Sequence, residues 1–168
     1  SHTMGPMVAG GMFLDLLRQS PFEPSGLKVR LHGSLAFTGH GHATDRAILL
    51  GLAGFNPATF DAIEADKVFQ KLKFNKIVQP VGLPKMRLDP ARDIHFDYGP
   101  ALPGHANGLV LMATDAQGDI LHQQTYYSVG GGFVVTEAEL FNGTAVSDLG
   151  DYPNKFETAK ALLEICHI

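Results

Sequence analysis

The sequence predicts an α+β fold, a mainly antiparallel sheet with helices packed on it. Two observations carry that expectation. Apolar residues recur at helical spacing over residues 7–17, 43–53 and 60–73. From residue 93 to 135 they fall instead into short strand-like segments divided by turn residues. With one further strand at 27–35, the order reads helix, strand, two helices, a meander of strands, and a last helix.

In the first helix Met7, Met12, Phe13, Leu16 and Leu17 lie largely on one face, with Thr3 the expected cap. Pro6 sits in the first turn, where a missing N–H costs nothing. Ser20-Pro21 and Pro24-Ser25-Gly26 end the helix with a turn. Over 27–35, Leu27, Val29 and Leu31 alternate with Lys28, Arg30 and His32, as in a half-buried strand. Ile48, Leu49, Leu50 and Leu52 mark the second helix, closed by Gly54 and Pro57. Thr59 is the expected cap of the third, which is acidic early and Lys-rich late, matching the macrodipole. Pro80, Pro84 and Pro90 break any long element over 75–92, and none is assigned there. Ile94, Phe96 and Tyr98 make a short strand; a loop over 102–108 opens into a strand at 109–114. Asp115-Ala116-Gln117-Gly118 reads as a hairpin turn returning through 120–129. Gly130-Gly131-Gly132 interrupts before Phe133-Val134-Val135, and Pro153 precedes the last helix, 156–166. Cys166 on its apolar face reads as a core residue.

The composition, 45% hydrophobic and 18% charged over 168 residues, is that of one globular domain with a real core. Net charge is −4, and no run of basic residues appears in the sequence, which argues against nucleic acid as a partner. No apolar run reaches the about 18 residues of a membrane helix, and no signal peptide is visible. The single cysteine excludes an internal disulfide and suits the cytoplasm. It also cannot hold an iron–sulfur cluster, which normally takes about four thiolates.

Chemistry concentrates in residues 33–45. Gly33, Gly39 and Gly41 surround His40 and His42, and Thr44 or Asp45 is the expected cap of the helix that follows. Helix-start N–H groups lack internal partners and favour anions. Three readings of the histidines stand side by side. An extended stretch would turn both the same way, as metal ligands sometimes are, though no cysteine or second His pair lies at ligand spacing. They are otherwise loop histidines without a task, or His42 transfers a proton or binds a carboxylate.

Residues 125–133 hold hydroxyls and three glycines. They form a β-bulge with ordinary strand aromatics, or the glycines admit another backbone or a ligand. The run matches neither a P-loop nor a dinucleotide fingerprint. His105-Ala106-Asn107 is a plain turn or an amino-acid site, since Asn can accept from an ammonium and donate to a carboxylate. Ser1-His2-Thr3 matches what cleaved expression tags leave behind. No Ser/His/Asp set and no carboxylate pair stands out.

Taken together, Ser1-His2-Thr3-Met4-Gly5-Pro6-Met7, residues 33–45, Gly51-Leu52-Ala53-Gly54 with Pro57, the His105/Asn107 loop, residues 125–133, and Pro153 with Phe156 and Ala159 carry a family likeness. The chain resembles the β (N-terminal) domain of the bacterial iron–sulfur L-serine dehydratases. That domain is in turn similar to the allosteric substrate-binding domain of D-3-phosphoglycerate dehydrogenases. The resemblance implies an enzyme that converts L-serine to pyruvate and ammonia, with a 4Fe–4S cluster as Lewis acid in place of pyridoxal phosphate. The cluster's cysteines belong to a separate catalytic α region to which nothing in residues 1–168 corresponds. The whole chain is then one β-type domain, silent alone, with Ser1-His2-Thr3 native sequence rather than a tag remnant. Its implied partners are L-serine, the catalytic α region and a second copy in a homodimer.

The site residues follow from the resemblance. Ser1, His2, Thr3, Gly39 and Gly41 would face the catalytic region, and His42 would complete the active site as a proton-transfer or substrate-orienting group. His105 and Asn107 would bind effector L-serine. Gly130, Gly131 and Gly132 would form an interface, and no metal ligand is assigned to this chain. The alternatives are a stand-alone amino-acid-binding regulatory module and a dimerisation domain.

Overall fold

The structure, a computed structural model, describes residues 1–143; the helix expected at 156–166, with Pro153, Phe156, Ala159 and Cys166, lies outside the described residues. The first helix begins earlier than expected, and α1 spans Met4–Arg18. It leads to β1 (Gly26–His32), a short helix α2 (Ser34–Thr38) and α3 (Thr44–Leu52). A 3-10 turn, Pro57–Thr59, precedes α4 (Ala62–Asn75). The segment left unassigned carries two two-residue strands, β2 (Ile77–Val78) and β3 (Met86–Arg87), and a four-residue helix α5 (Pro90–Asp93). Then come β4 (Ile94–Asp97), β5 (Gly108–Thr114), β6 (Ile120–Gly130), β7 (Phe133–Thr136) and a short α6 (Glu137–Phe141).

The sheet has seven strands around β1. On one side β5 pairs antiparallel from Gly26↔Thr114 to Leu31↔Leu109, and β6 and β7 continue the meander. On the other side β4 runs parallel, Val29↔Ile94 through His32↔Asp97, while β3 meets β1 in parallel at Gly26↔Arg87. The α+β reading and the antiparallel majority hold; the parallel edge is an addition that strand alternation does not reveal.

Strand period decides the core. Leu27, Val29, Leu31, Leu109, Leu111, Ala113 and Tyr126 share one buried side, and Phe13, Leu14, Leu17, Ile48, Leu49 and Leu52 cover them from α1 and α3. The two helices cross backbone to backbone. A Cβ on Gly51 would overlap the Met7 carbonyl, and one on Gly10 would lie 2.8 Å from the Gly51 carbonyl carbon. That close crossing fixes where the start of α1 sits over the sheet.

Three local expectations change. β1 stops at His32, because Gly33 adopts φ +54° and turns the chain into α2, so Leu35 is buried from a helix rather than a strand. The cap of α4 is Asp61, whose carboxylate accepts from Ile63 N and Glu64 N at 2.9 Å; Thr59 instead ends the 3-10 turn. Neither Thr44 nor Asp45 caps α3: Ala43, at φ +51°, occupies that position without a side-chain bond. Thr3 precedes α1 but makes no capping bond either. The hydroxyls of Thr3 and Thr44 serve tertiary contacts described below.

Candidate functional site

Residues 1–3, the 33–44 segment, the 105–107 loop and Ser128 on β6 meet near the start of α1. Gly5 makes room for this, since an added Cβ would overlap the Ser128 hydroxyl. Ser128 donates that hydroxyl to Ser1 O at 2.8 Å. Thr44 donates to His2 O at 2.7 Å, and Thr3 to His42 O at 3.2 Å, so the N-terminal segment is tied to the histidine turn at both ends. The His2 ring completes the tie through a 2.9 Å hydrogen bond between its Nε2 and the Ser34 hydroxyl.

The same network reaches the 105–107 loop. Ser34 N donates to Ala106 O at 2.9 Å, and Gly33 is needed there because a side chain would overlap that carbonyl. Ser128 N donates to Asn107 O at 3.0 Å, and the Asn107 amide donates back to Ser128 O at 3.2 Å. His105 Nδ1 accepts from Asn107 N at 3.0 Å, which leaves the proton of a neutral ring on Nε2. Residues that the sequence divides between an active-site face and an effector site therefore belong to one hydrogen-bonded surface.

His42 is exposed, and its Nδ1 lies 2.9 Å from Thr38 O. A carbonyl only accepts, so Nδ1 carries the proton and Nε2 of the neutral ring is left basic. Its ring centroid is 5.0 Å from that of His2. Burial, and then the neighbouring His42, pushes the His2 imidazole below its ordinary range, with the Ser34 bond opposing. His2 is thus held toward its neutral form.

The two histidines of the turn do not face the same way. His40 stacks on Phe96, centroids 3.9 Å apart, while His42 lies beside His2. The shared-ligand geometry expected of an extended stretch is absent because residues 39–43 form a tight turn. Gly39 is buried, with no room for a Cβ beside Leu35 O and Phe96; Gly41 is exposed next to His42. The 130–132 glycines all have positive φ, and with Gly130 paired to Phe133, Gly131 and Gly132 form a two-residue hairpin turn. The register shift between Ser128 and Gly130 matches the bulge reading. Tyr127 spends its hydroxyl on Pro103 O at 2.6 Å.

The cluster implied by the resemblance does not fit this chain. It has one cysteine, and among the described residues no three His, Cys, Asp or Glu side chains gather as metal ligands. What the surface offers is one oriented, exposed imidazole, a second imidazole beside it held toward its neutral form, and hydroxyls already committed to holding both. Ser34 and Ser128 are the members that sequence reasoning did not single out, and Thr44 entered it only as a helix cap. The signal available was a hydroxyl directly after a turn glycine, at Ser34.

The chain is thus an α+β domain with an exposed, oriented histidine on one face. The chain belongs to the serine dehydratase beta chain family, whose model matches residues 1–139. It is similar to L-serine dehydratase of Helicobacter pylori strain J99, 40% identical over 166 residues covering 99% of this chain and 36% of that protein. The Streptomyces coelicolor L-serine dehydratase is 40% identical over 167 residues, 98% of this chain and 37% of the relative. L-serine dehydratase TdcG of Escherichia coli K12 is 39% identical over 170 residues, with 99% and 36% covered. The chain thus spans little more than a third of the length of these relatives. The family expected from the sequence motifs is the one found.

Proposed function

We propose that this chain is the β-type domain of an iron–sulfur L-serine dehydratase, which with a catalytic α region converts L-serine to pyruvate and ammonia in the cytoplasm. The observation that carries the reading is the tie between residues 1–3 and the 38–44 turn, which holds the His2 and His42 rings 5.0 Å apart on an exposed face. Dehydration removes the Cα proton and the β-hydroxyl of serine; the resulting enamine becomes an imine that hydrolyses to pyruvate and ammonia. His42 Nε2 has the tautomer to exchange a proton with substrate or to orient its carboxylate, because Thr38 O occupies Nδ1. Departure of hydroxide needs an electrophile whose donor set is not in this chain. The reading assigns that part, the 4Fe–4S centre, to the α region.

His105 and Asn107 serve in this account as the effector L-serine site. Their loop shares hydrogen bonds with Ser34 and Ser128, so an occupant would bear on the backbone that orients His2. Coupling of this kind is typically about 1–3 kcal/mol. The Gly131–Gly132 turn, beside exposed Met4 and Phe133, is the proposed docking point for the α region or a second copy. The test of the main reading is His42→Ala in the assembled protein. The expected result is kcat lower by about 10²–10⁴ with KM for serine little changed. Near-normal turnover would overturn the role of His42.

A further inference from the structure

The face of the sheet away from α1 and α3 carries a feature that the histidine surface does not use. In β1 Lys28 and Arg30 alternate with the buried Val29, and the parallel register sets His95 of β4 directly beside Arg30. Arg87 of β3 and Arg92 of α5 complete the walls of a hollow of about 520 Å³, within the range of small-molecule sites, with the buried Met112 in its lining.

The charges there are poorly balanced. Arg92 pairs with Asp93 at 3.0 Å, and Lys28 donates to Gly118 O at 3.3 Å. Arg30 and Arg87 make no side-chain hydrogen bond or ion pair among the described residues, although the charge of Arg30 is felt by the Asp97 carboxylate on β4. Two guanidinium groups without a bonded acceptor and a lysine share the lining with one carboxylate, Asp93, so the hollow carries net positive charge. This happens on a chain whose net charge is −4, so the positive potential is local to the hollow.

We propose that this hollow binds a small dianion, a phosphate or phosphate monoester or a dicarboxylate, through Arg30 and Arg87. Guanidinium forks match paired oxygens in a way that an ammonium point charge does not. The hollow also discriminates against amino acids. The carboxylate in the lining is already engaged, so an α-ammonium would compete with Arg92 for it: Asp93 Oδ2 accepts from Asp89 N at 2.7 Å and from Arg92 Nη2 at 3.3 Å, and Oδ1 accepts from Arg92 Nε at 3.0 Å. The site is therefore distinct in chemistry from a serine site and does not rest on the dehydratase reading.

Calorimetry of the full chain at constant ionic strength tests this, with inorganic phosphate, succinate, acetate and L-serine titrated separately. Saturable one-site binding of phosphate or succinate is expected, with neither acetate nor L-serine saturating. Preference between the first two assigns the ligand as phosphoryl or dicarboxylate. Arg30→Gln and Arg87→Gln are each expected to weaken binding about tenfold or more. Arg46→Gln, whose guanidinium pairs with Asp66 elsewhere, leaves it unchanged. Arg30→Lys keeps the charge without the fork and falls between, which separates loss of the site from loss of the fold. Absence of saturation by either dianion overturns the proposal. So does undiminished binding in both glutamine variants.

Discussion

Replacing Gly51 by Ala probes the crossing that positions the histidine face. An added Cβ would stand 2.9 Å from both the carbonyl carbon and Cα of Met7, and would overlap the Met7 oxygen. Ordinary carbon contacts lie at about 3.5–4.0 Å, so α1 and α3 must part by roughly 0.6 Å or more. All three obstructing atoms are backbone, so no rotamer change relieves them. Overpacking of this kind costs about 1–3 kcal/mol, and the better helix propensity of Ala returns up to about 1 kcal/mol. The balance is a loss of about 1–2 kcal/mol, or roughly 2–8 °C in Tm for a domain of this size. Gly11 is the control on the same helix. A Cβ there meets nothing within 4 Å, so Gly11→Ala keeps the propensity gain, and about 0.5–1 kcal/mol of stabilisation is expected. Urea and thermal unfolding of the two variants should give shifts of opposite sign. A Gly51→Ala protein as stable as the parent, or a Gly11→Ala protein equally damaged, would refute the close-crossing argument.

Two other outcomes concern His32 and the 105–107 loop. His32 is buried, and that burial chiefly lowers its pKa despite Asp97 at 3.7 Å. The unfolded imidazole takes its proton near about pH 6.5 while the folded one declines it, so stability is full above that pH and falls as pH drops through it. His32→Gln should flatten the loss of stability measured between about pH 7 and 5; an unchanged slope would mean His32 does not titrate differently on folding. His105→Ala and Asn107→Ala in the assembled protein should change activation by L-serine several-fold and leave the chemical step intact. Unaltered cooperativity in both would remove the effector site from the account.

The sequence reveals most where one periodic stripe decides the answer. Phe13, Leu17, Ile48 and Leu52 mark α1 and α3 because each helix has a single side to bury. Leu27, Val29 and Leu31 mark β1 for the same reason with period two. Leu35 misleads because it keeps that period past Gly33, and the break comes from a tertiary contact, the Ala106 carbonyl against Gly33. Thr3 and Thr44 look like caps, yet their hydroxyls serve His42 O and His2 O, partners about forty positions away. The parallel pairing of β1 with β4 leaves no local trace, since Val29 and Ile94 are joined only by the fold. In the histidine surface the motifs name residues 1–3, His42, His105 and Asn107. Only the structure unites them, through Ser34 and Ser128. The cationic hollow is hidden for a similar reason: Lys28, Arg30, Arg87, Arg92 and His95 form no basic run in the chain.

Pyruvate release from L-serine, followed with the purified 168-residue chain alone and again with the cysteine-bearing catalytic region present, tests the central proposal most directly. The proposal expects no turnover from the chain alone and clear turnover from the assembled protein. Pyruvate from the chain alone, or none from the assembled protein, would contradict it.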